Sequence, residues 1–261
     1  MKYIKLKLNY ARNSLRYIIR TYNIKEIFIP YYLCDEIRHS IVKEDCKPKF
    51  YHIDNNFLPI REFKKEDYIL YPNYFGICDK NVKILTQKYP LLIVDNAHSY
   101  YSEPKGFACF NSERKFHNVY NGSYLWIQKK GAPLEYEKHI QKELPKENRE
   151  ELIKNIEPLF VEEKQENFNN REFRQKSFKN LHKKYHSKNL LKIDLESANS
   201  PFCYPFLANS TSEADKLVKD LNENEITIYR YWKPLPKNYN EYKFYSRLVP
   251  IPLANYPRNL Q

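Results

Sequence analysis

Leu91-Leu92-Ile93-Val94-Asp95-Asn96-Ala97-His98 is the stretch on which the reading of the fold turns. Four apolar residues end in an acid, the pattern of a buried strand with a polar group at its carboxyl end. Upstream, Ala11 to Tyr22 has apolar residues at Leu15, Ile18 and Ile19, a helical spacing. Glu26 to Pro30 is a short apolar run stopped by proline and reads as a strand. Cys34 to Val42 reads as a helix, Pro48 to Ile53 and Tyr68 to Pro72 as strands, and Asn81 to Lys88 as a helix. Downstream, Phe107 to Phe110 and Ser123 to Gln128 read as two more strands. This alternation predicts an α/β fold, a mostly parallel sheet covered by helices.

The remainder of the chain extends that plan. From about Glu135 to His186 the sequence is charged, with helical periodicity and few strand formers, and reads as a helical connector. Phe202 to Ala208 then reads as strand, Ser212 to Asn222 as helix and Ile226 to Tyr229 as strand. The expected organisation is a sheet domain over residues 1–134, a connector over 135–186 and a small C-terminal α/β lobe over 187–261.

At 261 residues with 42% hydrophobic content, the chain is long enough to bury a sizeable core. Five scattered cysteines without a CxxC pair read as free thiols in a reducing compartment. No apolar run follows the charged start Met1-Lys2-Tyr3-Ile4-Lys5, and none is long enough to cross a bilayer, so a cytoplasmic protein without membrane association is expected. The formal charge of +12 raises the question of nucleic acid. Positive residues are spread along the chain and mixed with acids, as in Lys142-Glu143, which argues against a dedicated polyanion surface. The aromatic-basic run Tyr229-Arg230-Tyr231-Trp232-Lys233 keeps a nucleic-acid-binding protein without cofactor as a rival reading.

Three polar segments fall at expected strand ends, where α/β sheets gather ligands: Pro72 to Gly76, Asp95 to His98, and Asn111 to Lys115. Singly each has a bland explanation: Asp95 as a capping residue, His98 as a structural histidine, Lys115 as a solvated lysine. Together they carry more weight. With only four glycines there is no GxGxxG or Walker loop, and no GxSxG elbow supports a serine hydrolase. Asp35, Glu36 and His39 lack a third ligand or an HExxH pattern, so they read as a solvated helix face and no metal site is expected. Cys34 with His39 has nothing to orient the base.

In that order the segments resemble the motifs of the DegT-type (DegT/DnrJ/StrS) sugar aminotransferases. Asp95-Asn-Ala-His98 is similar to the family's D-A-A-H/Q motif. Phe110 to Phe116, followed by Asn121-Gly122, is similar to its F-S-x-x-K segment and glycine turn, and Leu70 to Gly76 to its P-V-H-x-x-G turn. Ala11 to Leu15 lies where the family begins its phosphate-binding helix, and Leu248 to Pro252 resembles its closing L-P-I-P strand.

The resemblance implies a shortened enzyme of fold type I that binds pyridoxal 5′-phosphate. It implies Lys115 as the covalent anchor, Asp95 beside the pyridine nitrogen, and His98 near the ring. Arg12, Asn13, Ser14 and Ser112 would surround the phosphate, Tyr32 or Tyr31 would stack on the ring, and Tyr74 and Arg230 would face substrate. Implied substrates are an amino-acid donor such as glutamate and a keto-sugar nucleotide acceptor, in surface-glycan assembly. A homodimer is implied too, with Asn169, Asn170 and Arg171 reaching across.

Several positions depart from the family pattern. The Asp95–Lys115 spacing is short, Gly122-Ser123 replaces a Gly-Gly pair, and Cys34 stands where a stacking Trp or Phe is usual. No G-Y-N-x-R motif is recognisable. A shortened relative with another pyridoxal reaction, or with no turnover, is therefore the second reading.

Overall fold

The computed structural model of the chain describes residues 3–117, 119–128, 171–232 and 234–253. Seven strands share one sheet: β1 (Tyr3–Leu8), β2 (Glu26–Pro30), β3 (Lys47–Tyr51), β4 (Ile69–Pro72), β5 (Leu92–Asn96), β6 (Ala108–Asn111) and β7 (Ser123–Gln128). Their order is β1-β7-β6-β5-β4-β2-β3. The pairs among β3, β2, β4, β5 and β6 are parallel, and β7 runs antiparallel to both β6 and β1.

The central strands are apolar on both faces because both faces are covered. Leu70, Ile93 and Phe110 point into a core shared with α1 (Ala11–Thr21) and α2 (Asp35–Val42). Tyr71, Val94 and Cys109 point the other way, into a core that includes Val82 and Leu85 of α3 (Asp79–Lys88).

That second core continues into the C-terminal part of the chain. There α4 (Arg171–Tyr185), β8 (Cys203–Leu207), α5 (Thr211–Glu223), α6 (Tyr242–Arg247) and β9 (Leu248–Pro252) follow in order. Strands β8 and β9 form a two-stranded antiparallel sheet. Phe178, Tyr204, Phe206, Phe244 and Val249 are buried in the same cluster as Tyr71 and Val94, so sheet and C-terminal lobe share one apolar interior.

Two elements differ from the sequence reading. Strand β1 was hidden by its lysines, yet Tyr3 to Leu8 alternates. Ile4 and Leu6 pair with Ile127 and Leu125 and face the core, while the Lys5 ammonium lies 4.0 Å from the centre of the Tyr124 ring. Conversely, Ile226 to Tyr229 is not a strand. The Ile226 amide donates to Leu221 O at 3.0 Å and the Ile228 amide to Asn222 Oδ1 at 3.2 Å, so the end of α5 takes the bonds a ladder would need. Of the expected connector, 171–185 is helix; residues 135–170, including Phe160, Phe168, Asn169 and Asn170, lie outside the described residues.

The lobe is fastened to the sheet at one tight place. Gly76 has φ +72°, and a Cβ there would lie 2.1 Å from Ser200 O and 2.4 Å from His98 O. Beside it the Phe202 amide donates to Phe75 O at 2.9 Å. Gly76→Ala meets both the left-handed backbone penalty and two carbonyl oxygens with no room to retreat. It is expected to cost about 2–4 kcal/mol of stability, read as a lower midpoint in chemical denaturation.

Candidate active site

A cavity opens at the carboxyl ends of β4, β5 and β6, bounded by the first turns of α1 and α2. Its wall includes Arg12, Cys34, Asp95, His98, Ser112, Arg114, Lys115 and Trp232. Five residues picked out from the sequence as site residues, namely Arg12, Asp95, His98, Ser112 and Lys115, thus meet at one place. The parallel β4–β5–β6 register sets this up by aligning Pro72, Asp95 and Phe110 across the sheet, so the chain leaves all three strands on the same side.

Asp95 is fixed through its own turn. Its Oδ1 accepts the Ala97 amide at 2.8 Å, and its backbone oxygen accepts the Asn73 amide at 2.9 Å. Lys115 ends a short 3-10 turn, Glu113–Lys115. That turn is anchored by the Glu113 amide donating to Gly122 O at 2.9 Å, while the Gly122 amide donates to Asn9 O at 2.6 Å. Gly122 has φ +129°, and a Cβ there would fall 1.9 Å from Glu113 Oε2, which requires glycine.

The electrostatics follow from burial. Desolvation pushes the Asp95 carboxyl up, and the Lys115 ammonium and the Ala97 amide push it back down. Desolvation pushes the Lys115 amine down, and the Asp95 charge opposes that most strongly. Lys115 is half-buried as a residue, but its ammonium lies at the desolvated end of the side chain. His98 is held well below the ordinary imidazole range, first by burial and then by the nearby Lys115 charge. Its ring stacks on Phe202 at 4.6 Å and on Trp232 at 5.8 Å, with interplanar angles of 15° and 14°.

Other residues named from the sequence lie elsewhere. Ser14 is fully buried, its hydroxyl 2.7 Å from Ser123 Oγ, which in turn donates to Asn111 O. It ties α1 to β7 and β6. Asn13 donates to Asn9 Oδ1, and the amides of Asn13 and Ser14 both donate to Tyr10 O. Of the four α1 residues at Ala11–Ser14, only Ala11 and Arg12 border the cavity.

The aromatic expectations shift in the same way. Tyr32 is not an exposed aromatic on a ligand-facing loop: it is buried, donates to Tyr231 O at 2.8 Å and packs against Trp232. Tyr74 is buried beside it and donates to Tyr32 O, and Tyr31 stacks on Phe50. Arg230 binds Asp215 at 2.6 Å and Ser246 O at 3.1 Å. The aromatic side chains of the cavity wall are instead Tyr10 and Trp232, the second contributed by the C-terminal lobe. In the sequence it belonged to an aromatic-basic run that suggested base stacking, and nothing local showed that Tyr231 and Trp232 turn inward onto His98. Arg114 was also missed, although it sits inside the quoted lysine segment.

No family model and no curated relative matches the chain in sequence. Solved structures do match in shape. A DegT DnrJ EryC1 StrS aminotransferase from Brucella abortus superposes with a TM-score of 0.69 at 14% identity, covering 98% of this chain and 82% of that one. A Bacillus cereus protein assigned as a PLP-dependent aminotransferase gives 0.68 at 16%, covering 99% and 84%. PseC of Helicobacter pylori, an aminotransferase involved in the biosynthesis of pseudoaminic acid, gives 0.62 at 17%, covering 95% and 81%. The chain has the aminotransferase fold. Within that fold the match spans nearly the whole of this chain.

A buried, depressed histidine makes the fold acid-sensitive. As pH falls through about 6.5, the unfolded chain takes up a proton that folded His98 refuses, and stability falls by about 1.4 kcal/mol per pH unit until the buried ring is protonated. Denaturation curves between pH 7 and pH 5 should show this slope in the wild type. In His98→Gln the slope should be smaller by about one proton.

Proposed function

We propose that the chain is a pyridoxal-phosphate-dependent aminotransferase that moves an amino group from an amino acid to a keto-sugar nucleotide. The observation that carries this reading is the convergence of Lys115 and Asp95 in one desolvated cavity at the carboxyl edge of the sheet. The donor set fits the cofactor. It offers a primary amine, a buried carboxylate, and the first turn of α1 with the Ser112 hydroxyl on the same wall for a phosphate. When bound, pyridoxal phosphate supplies an aldehyde for amines to condense with and a ring that accepts electrons from the substrate carbon.

The chain's own residues do the rest. Burial lowers the Lys115 pKa and so raises the fraction of its amine that is neutral and nucleophilic. With the cofactor bound, Lys115 Nζ would be the base that takes the donor's α-proton and returns it. Asp95 Oδ1 is occupied by the Ala97 amide, which leaves Oδ2 to hold a proton on the pyridine nitrogen. Phe202 and Trp232 flank His98, keep its imidazole neutral and exclude water from that side of the cavity.

The chain is also proposed to act as a twofold dimer. Tyr120 is 80% exposed next to the Gly122 turn that anchors Lys115, and burying such a side chain contributes about 1.5–3 kcal/mol. Sedimentation at micromolar concentration should give twice the chain mass; a monomer carrying reactive cofactor would reject the dimer.

The reading is tested by adding pyridoxal phosphate to the purified protein and following its visible absorbance. Wild type should retain a band that borohydride bleaches into a stable adduct, and Lys115→Ala should form no adduct. The only tryptophans are Trp126 and Trp232. In a Trp126→Phe variant, cofactor uptake should quench the remaining emission, from Trp232. Asp95→Asn should keep cofactor but lose about 10²–10³-fold in turnover. Near-wild-type turnover would reduce Asp95 to a capping residue.

A further inference from the structure

The cavity wall carries three basic side chains, Arg12, Arg114 and Lys115, against two acids, Glu36 and Asp95. Two of the cations are accounted for. Arg12 pairs with Glu36 at 3.7 Å and lies over the Tyr10 ring at 4.1 Å, while Lys115 and Asp95 act on each other. Arg114 is the surplus.

It is also unusual among the arginines. Arg16 and Arg20 bind Glu44, Arg230 binds Asp215, and Arg171 and Arg247 donate to backbone carbonyls. Among the described residues, the Arg114 guanidinium alone has no acid, carbonyl or aromatic ring as partner. An arginine without a partner on the wall of a cavity is a ready-made anion receptor.

Depth indicates which anion. Ser112 is buried and sits with the first turn of α1, the place for the phosphate of a resident cofactor. Arg114, two residues along, is exposed at the mouth, where a substrate enters. It immediately precedes Lys115, the amine with which a donor must exchange. In an α-amino acid the amine and the carboxylate share one carbon, so a group that reads the carboxylate has to stand next to the exchanging lysine.

We propose that Arg114 recognises the α-carboxylate of the amino-acid donor. This rests on the aminotransferase reading of the site. The planar guanidinium suits a carboxylate through two parallel hydrogen bonds. The same positive charge beside the Lys115 amine also favours its neutral form until the carboxylate arrives.

The test compares wild type, Arg114→Gln and Arg114→Lys, each loaded with pyridoxal phosphate. The first readout is cofactor retained after gel filtration. The second is equilibrium binding of 2-methylglutamate, which has no α-proton to lose, followed by the change in cofactor absorbance. The third is the single-turnover rate with glutamate against that with 4-aminobutyrate, its decarboxylated amine.

Arg114→Gln should retain cofactor normally, bind 2-methylglutamate about 10- to 100-fold more weakly, and lose the preference for glutamate over 4-aminobutyrate. Arg114→Lys should recover part of that loss. Unchanged binding of 2-methylglutamate overturns the assignment. So does loss of cofactor in Arg114→Gln, which would give Arg114 to the phosphate. A wild type that takes up no pyridoxal phosphate overturns the aminotransferase reading and this assignment with it. A wild type that forms the borohydride adduct while Arg114→Gln behaves identically overturns only the assignment.

Discussion

Asp95 and Lys115 are both held out of water, and burial drives each toward its neutral form while the opposite charge drives it back. That opposition is the constraint around which the rest is arranged. A carboxylate alone at the buried end of β5 would take up a proton, and an amine alone would lose one. Kept together, each offsets part of the burial cost of the other's charged form. The sheet supplies the carboxylate by ending β5 on an acid in register with Pro72 and Phe110. The Glu113–Lys115 turn supplies the amine, clamped at Gly122, where a positive φ and the closeness of Glu113 disfavour any side chain.

The sequence was most informative where secondary structure and chemistry share a short segment. The strands at Glu26–Pro30, Ile69–Pro72 and Leu92–Asn96 were visible as apolar runs, because a parallel sheet covered on both faces needs apolar residues along its central strands. Asp95, His98, Ser112 and Lys115 stood out because they fall within the few residues after two such runs, Leu91–Val94 and Phe107–Phe110. What could not be read was long-range partnering. Tyr32 looks like a ligand-facing aromatic until Trp232, far along the chain, packs on it. Arg230 looks like a substrate cation until Asp215 claims it. Ser14 looks like a phosphate donor, but Ser123 takes its hydroxyl. In all three cases the partner lies far along the chain, where no local motif can show it.

The alternating Lys5 and Lys7 of β1 illustrate a different limit. Lysine is a poor strand former by composition, yet at an edge it covers aromatic surface on the neighbouring strand, as over Tyr124, while Ile4 and Leu6 fill the opposite face. Basic residues that suggested polyanion binding are here part of the packing of a sheet edge. Much of the positive charge elsewhere is likewise balanced locally, with Arg16 and Arg20 on Glu44 and Lys80 between Asp194 and Glu196.

The covering of His98 by Phe202 and Trp232 also has a temporal side. Asp95, His98 and Lys115 leave the ribosome early, but the rings that dry the cavity, and Ser200, whose carbonyl abuts Gly76, come from beyond residue 199. Until that last stretch has emerged and docked, the histidine stands in water, the lysine is an ordinary surface ammonium, and the apolar face around Phe75 is bare. Drying of that side of the cavity therefore arrives at the end of synthesis. A chain broken off before the lobe would carry Asp95, His98 and Lys115 without the rings that cover them.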